Sequence, residues 1–345
     1  MKPQRCILLL ALLGQAAITP ALARSPNFFK GKTLTLVISS SAGGGYDTLG
    51  RLVAHFLSTH LPVSSIVVRN MPGAGGIVAT NYLYREASKD GLTIGLVQNN
   101  TPFEPLYGTK QADYDARKFN WLGSPSTETS ILIVWRTSPV NTIQDVMKRQ
   151  ITVASSGEHS TPSFYARLLN KTLKTKMKIV VGYPGQSEAW LAMERGEVDG
   201  YPTMFYSSLM ATHPDAIKKH QIKLLVQYGL KKEPALPNVP FAPDLVKNPR
   251  DKLLLETGLA GISIGRPFVA PPGVPKARVA ELRNALAATF ADPKYIAKAN
   301  SIHLAVNKPR SGPELARTIE AAYKAPAAVL ARLRRLTSRP GATAK

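Results

Sequence analysis

Two glycine-rich turns stand where a strand should hand over to a helix, and they constrain the fold more than any other feature. The first is SSSAGGGYDTLGR, Ser39 to Arg51, and the second is NMPGAGGIVATNYL, Asn70 to Leu83. A strand followed by a bend without Cβ atoms and then a helix start leaves several backbone N–H groups without intrahelical acceptors. Such a cluster suits an anion.

Around these turns, apolar runs of strand length alternate with helical stretches. Thr33 to Ser39, Ser65 to Val68, Thr93 to Val97, Ile131 to Trp135, Ile151 to Ala154, Lys178 to Tyr183 and Lys223 to Gln227 are predicted strands. Tyr46 to His60, Ile77 to Glu86, Thr142 to Lys148, Pro162 to Lys171 and Ser187 to Arg195 are predicted helices. Alternation of this kind implies an α/β fold with mainly parallel sheets covered on both faces.

The first residues point to export. Lys2 and Arg5 precede an apolar run, Ile7 to Ala17, and the small-residue sequence Ala21-Leu22-Ala23 follows. That pattern predicts a signal peptide over 1–23, cleaved near Ala23, and a periplasmic protein. The run is too short to span a bilayer, and no other segment offers about 18 consecutive apolar residues. The single cysteine, Cys6, lies inside the expected signal. What remains then has no disulfide and no thiolate nucleophile. Roughly 320 residues are enough for two domains with substantial cores.

The formal charge is +22, of which Lys2 and Arg5 contribute two, leaving +20 after the signal. A field of this sign concentrates small anions. The basic residues are scattered and lack a zinc-finger or RNA-binding pattern, so nucleic acid is not the expected partner. Enzyme motifs fail on the same residues. The stretch from Gly45 to Gly50 has the spacing of a phosphate-binding loop but continues Arg51-Leu52 instead of Lys and Ser or Thr. Neither glycine cluster completes GxGxxG, and the six histidines show no zinc spacing. No cofactor or metal is expected.

The strings FFKGKTLTLVISSSAGGGYDTLGR, NMPGAGGIVATNYLY, KDGLTIGLV, FNWLGS, VGYPGQSEAWLAMERGEVDG and RPFVAPPGVPKARVAELRNAL, in this order and spacing, resemble the periplasmic solute-binding receptors of the tripartite tricarboxylate transporter system, the Bug family. The resemblance implies a two-lobed binding protein of periplasmic-binding-protein architecture, with a hinge of crossing strands. It implies closure on a carboxylate-bearing solute, delivery to an inner-membrane permease, a monomeric receptor and no catalysis. By resemblance, lobe 1 comprises 25–133 plus 267–345, and lobe 2 comprises 134–266. An exported two-lobed hydrolase and a sensing receptor for a signalling partner are the alternatives. Many members begin the first loop PFPPGGGTD, whereas this chain has SSSAGGGYD, with Tyr46 where threonine is usual.

Ligand is expected in the cleft beyond the carboxyl ends of the strands. In lobe 1 the candidates are Ser41, Ala42, Gly43, Gly44, Gly45 and Tyr46, with Asp47 expected to cap the following helix. Gly73, Ala74 and Gly75 offer a second set of amides or form a turn needed only for packing. Asn99, Asn100 and Thr101 supply polar groups, or serve as plain loop residues. In lobe 2, Ser155, Ser156, Gly157, Ser160 and Thr161 form the opposing jaw, and the turn from Tyr183 through Gly185 to Gln186 is the rim. Asp199 either orients a ligand hydroxyl or ammonium or closes a turn. Tyr201 and Met204 are candidates for the floor, or for the core.

Overall fold

The computed structural model describes residues 28–337 except 305 and 307, so the expected signal peptide and Cys6 lie outside the described residues. In chain order the elements are β1 (Thr33–Ile38), α1 (Gly45–His60), β2 (Ser65–Asn70), α2 (Ile77–Arg85), β3 (Thr93–Leu96) and β4 (Asn120–Ser124). Next come β5 (Thr129–Trp135), α3 (Ile143–Lys148), β6 (Ile151–Ser155), α4 (Thr161–Leu173), β7 (Met177–Val181), α5 (Gln186–Glu194) and β8 (Gly200–Phe205). They are followed by α6 (Tyr206–Thr212), β9 (Ile222–Gly229), α7 (Ala242–Leu245), α8 (Pro249–Gly258) and α9 (Ala260–Ser263). The described chain ends with β10 (Phe268–Ala270), α10 (Lys276–Ala291), α11 (Pro293–Ser301), β11 (Arg310–Ser311), α12 (Gly312–Tyr323) and α13 (Ala327–Thr337).

The strands form two sheets. One has the order β11-β4-β10-β3-β1-β2, the other β7-β6-β8-β5-β9. The parallel pairing expected from the sequence holds where strands and helices alternate. β1 runs parallel to β2 and β3, and β6 runs parallel to β7 and β8. Both sheets are nonetheless mixed, because the strands next to the crossings run against their neighbours. β5 is antiparallel to β8 and β9, and β10 to β3 and β4. A chain that leaves one sheet to enter the other arrives from the cleft side, so its first strand there points away from the cleft.

The chain passes between sheets from Ser124 to Thr129 and returns between Ser263 and Phe268. The first crossing precedes the expected boundary at Ile133, because β5 pairs along its whole length within the second sheet. α13 packs against α4 and α8, while Arg334 Nε and Thr337 Oγ1 donate to the Leu106 and Tyr107 carbonyls at 3.0 and 2.8 Å. This helix therefore straps one lobe to the other.

β1 shows why the central strands read as apolar runs. Leu34, Leu36 and Ile38 pack in one layer with α1 and α10, while Val37 faces the opposite layer with Ile77 and Leu83. The inward stripe of α1 reads Leu49, Leu52, Val53 and Leu57. That i, i+3, i+4, i+8 spacing places all four on one helix face. Each such buried side chain contributes about 1.5–3 kcal/mol relative to exposure. β8 is not legible as a strand in the sequence because Pro202 interrupts it. The ladder to β5 shifts register at this point, pairing Ile131 with Met204 but Ile133 with Tyr201, so the missing N–H falls at an irregularity.

Candidate functional site

The loop from β1 to α1 presents the first glycine turn to the other lobe. Gly44 is the helix N-cap and has no side chain to close the first turn. Asp47, expected to cap α1, sits at its third position and folds back, with Oδ2 accepting from the Gly43 N–H at 3.0 Å. Arg51 Nε and Asn70 Nδ2 donate to Asp47 Oδ1 at 3.0 and 2.9 Å. Burial alone would raise the Asp47 pKa, but Arg51, the Gly43 amide and Asn70 outweigh it and hold the carboxyl below its ordinary range. The Gly43 amide is thus occupied within the loop itself. The amides of Gly44, Gly45 and Tyr46, at the helix start, have no acceptor within the helix. A helix terminus contributes about 0.3–2 kcal/mol to an anion placed there.

A cavity of about 60 Å³ lies between the lobes, at the carboxyl ends of β1, β3, β6 and β8. That is room for roughly four to six water-sized groups. Lobe 1 lines it with Ser40, Ser41, Gly44, Gly45, Tyr46, Gln98 and Asn99. Lobe 2 adds Ser156, Thr161, Pro162, Gly185, Gln186 and the β8 face Tyr201, Thr203 and Phe205, with Ser208 from α6. Alternation along β8 explains the floor: residues 201, 203 and 205 share a face, while Met204 points into the core behind it.

Two lining residues carry buried polar atoms without an aligned protein partner. Asn99 is 1% exposed, and its backbone N–H donates to Tyr46 Oη at 3.0 Å while Nδ2 has no acceptor. The Tyr165 hydroxyl is close to Asn99 but forms no aligned hydrogen bond with it. Thr161 Oγ1, from the opposite lobe, is equally unsatisfied. Leaving such a group unpaired costs about 1–3 kcal/mol.

Several sequence candidates take other places. Ala42 and Gly43 belong to the loop but do not line the cavity. Asn100 Nδ2 donates to Glu104 at 2.6 Å, and Thr101 Oγ1 to the Gln98 carbonyl at 2.8 Å. Ser155, Ser160 and Ser163 form a closed hydroxyl cluster, with the Ser160 and Ser163 hydroxyls each 2.7 Å from the Gly157 carbonyl. Gly73 and Ala74 shape the second turn away from the cavity, and Gly75 is a jaw contact. A Cβ on Gly75 would lie 2.4 Å from Ser160 Cα. Tyr183 stays outside, its hydroxyl 3.4 Å from Glu197. Asp199 is a structural acid: Oδ2 accepts from the backbone N–H and hydroxyl of Thr152 at 2.7 and 2.8 Å, tying β8 to β6. An Asp199→Ala variant is accordingly expected to lose about 1–3 kcal/mol of stability in denaturant unfolding.

Sequence reasoning misses Ser40, Gln98, Pro162, Thr203, Phe205 and Ser208 as lining residues. It also misses Arg266, which is 1% exposed beneath the floor. Its Nη1 donates to the Gly45 carbonyl at 2.6 Å, and Nη2 to Ser207 and Ser208 Oγ at 2.8 and 2.7 Å. Nε stands 3.0 Å from Glu128 Oε1, a charge contact rather than an aligned hydrogen bond. The guanidinium lies 5.5 Å from the Tyr46 ring centre and 5.2 Å from that of Phe205. Burial raises the Tyr46 hydroxyl pKa far above its usual value, so it remains a neutral phenol. The cavity lining contains no charged side chain, and no metal-binding cluster occurs among the described residues.

A family model described as the tripartite tricarboxylate transporter family receptor matches residues 49–322. The chain belongs to this family. Among curated relatives, a UPF0065 protein from Agrobacterium vitis is 29% identical over 198 residues, covering 55% of this chain and 56% of that protein. The chain thus spans little more than half the length of that relative. Another UPF0065 protein, from Bordetella pertussis, is 23% identical, covering 86% of this chain and 87% of that one. Among solved structures, MatC from Rhodopseudomonas palustris with bound malate superposes with a TM-score of 0.71 at 22% identity, covering 89% of this chain and 99% of MatC. An R. palustris protein with adipate gives 0.68 at 20%, covering 89% and 97%. The periplasmic binding protein BugD gives 0.66 at 22%, covering 88% and 96%. These likenesses establish the two-lobed α/β fold for this member of the family.

Proposed function

We propose that this family member is a periplasmic receptor that closes on a small organic anion carrying a carboxylate and presents it to a membrane permease of the tripartite type. One observation carries the reading. The cavity lining has no charged side chain, yet it collects the first-turn amides of α1 and two unpartnered buried groups, Asn99 Nδ2 and Thr161 Oγ1, from opposite lobes. Neutral donors arranged in this way hold a carboxylate without neutralising it and release it when the lobes part. MatC with malate and the R. palustris protein with adipate support a carboxylate of modest size.

The same lining supports binding without covalent chemistry. A serine nucleophile needs an adjacent general base. No histidine lines the cavity. The receptor works as a monomer, exported by the segment before Arg24.

A thermal-shift screen of the mature protein against small carboxylates tests the reading. A ligand at about 100 times its Kd adds about 2.7 kcal/mol, a shift of several degrees. Asn99→Ala is expected to weaken the same ligand by about tenfold or more, because its partner atom loses a buried donor. Silence across carboxylates from folded protein would overturn the proposal.

A further inference from the structure

The two segments that carry the chain between the lobes hold opposite charges, and both are buried. Glu128 stands one residue before β5 in the first crossing, and Arg266 stands two residues before β10 in the return. Their side chains are 2% and 1% exposed. Arg266 is fixed to the hinge through its backbone, whose N–H donates to Ser124 Oγ at 3.0 Å. Gly265, before it, has φ +62°, and a Cβ there would meet the Ser126 carbonyl oxygen at 1.9 Å. The root of the side chain therefore stays with the hinge.

The guanidinium divides its donors among moving parts. Nη1 holds the Gly45 carbonyl in lobe 1, and Nη2 holds Ser207 and Ser208 in the first turn of α6 in lobe 2. Ser207 Oγ also donates to Glu128 Oε2 at 2.7 Å. The α1 and α6 starts are in tight contact at this point, since a Cβ on Gly45 would lie 2.0 Å from Ser208 Oγ. Any separation of the jaws removes either the Gly45 or the serine partner and exchanges a charge-assisted hydrogen bond for water.

The Gly45 carbonyl belongs to the same peptide unit as the Tyr46 N–H, one of the helix-start amides at the cavity. A cation bonded to that carbonyl polarises the peptide and strengthens its N–H as a donor. Arg266 thus reaches the anion position through a peptide group, with its own charge balanced by Glu128.

We propose that Arg266 is a positioning residue that latches the lobes closed from beneath the cleft floor and polarises the Gly45–Tyr46 peptide toward the bound anion. The second half rests on the carboxylate-receptor reading; the first half does not.

Spin labels at Val67→Cys and Val181→Cys in a Cys6→Ser background measure the latch directly. These positions lie on different lobes and are 51% and 43% exposed. Arg266→Met alone strands Glu128 and risks misfolding, so the decisive variant is Arg266→Met with Glu128→Met, which replaces the pair by apolar side chains, often without loss of stability. The expected result is a folded protein whose interlobe distances, without ligand, gain a longer population absent from the parent. Arg266→Lys, with one ammonium for several partners, should fall between. Affinity for a carboxylate found in the screen should drop about tenfold beyond what the lost closed fraction accounts for, and a drop no larger than that fraction would overturn the peptide polarisation. Unchanged distances in the folded double variant, or a parent that is already as open, would overturn the latch. Unchanged affinity beside lengthened distances would overturn the peptide polarisation. If no carboxylate binds the parent, the receptor reading fails while the distance measurement still decides the latch.

Discussion

Replacing Gly75 with alanine is expected to weaken ligand binding by up to about a hundredfold, because overpacking at the jaw costs about 1–3 kcal/mol in the closed state. Gly75 has φ +69°, and its missing Cβ would lie 2.4 Å from Ser160 Cα and 2.5 Å from Ser160 Cβ. Ser160 is the N-cap of α4 and cannot retreat without disturbing the hydroxyl cluster on Gly157. Separation of the lobes relieves the clash. The contact lies at the jaw, away from the apolar layers on the sheets, so the variant should unfold within a few degrees of the parent. Gly31→Ala supplies the control, since Gly31 has φ +71° but nothing within 4 Å of its missing Cβ. It carries the same left-handed strain without a jaw contact, and its affinity should equal the parent's. Calorimetric titration of both variants gives the answer. Parent-like affinity in Gly75→Ala would mean that the lobes do not meet at this point when ligand is bound.

The contrast between these two glycines shows what a sequence can and cannot disclose. The turn at Gly73 to Gly76 is legible as a bend after a strand, because glycine runs there have few other uses. Its jaw contact is not, because the partner surface at Ser160 lies in another lobe. The first turn reads more fully. Ser41, Gly44, Gly45 and Tyr46 do line the cavity, since a helix start next to a strand end fixes its own geometry. Asp47 reads locally as a helix cap, whereas the structure turns it back on Gly43 with the help of Asn70, a residue far along the chain.

Longer-range effects hide the remainder. Tyr201, Thr203 and Phe205 form the floor by strand alternation, but Pro202 masks the strand. Arg266 and Glu128 give no local signal, being single charges in two connections far apart in sequence. Only the double crossing of the chain brings them together, and nothing in either segment alone distinguishes a buried ion pair from two solvated residues. Asp199 has the reverse fate: it stands in a string that suggests the site, yet its carboxylate is taken up by Thr152.

Raising the pH from about 5 to about 8 is expected to remove about 4 kcal/mol of stability through one residue, Glu104. Its side chain is fully buried, and burial pushes the carboxyl from 4.5 up to about 8 against the hydrogen bonds of Thr109 and Asn100 and the charge of Arg167. Below 4.5 both the folded and unfolded chains hold the proton, and the native state keeps the full benefit. Between 4.5 and about 8 the unfolded chain releases a proton that the folded chain retains, so stability falls as pH rises. Glu104→Gln keeps the shape and cannot ionise. Its melting temperature should exceed the parent's at about pH 8, by roughly 5 to 10 °C, and match it near pH 4. Parallel pH profiles for the two proteins would show instead that Glu104 is ionised in the folded state, balanced by Arg167. The neutral form also suits the neighbouring site. Asn100, which donates to Glu104, adjoins Asn99 in the cavity lining, so a carboxylate charge held here would repel an anionic ligand. Ligand affinity of the parent should therefore decline as pH passes about 8, while that of Glu104→Gln stays level.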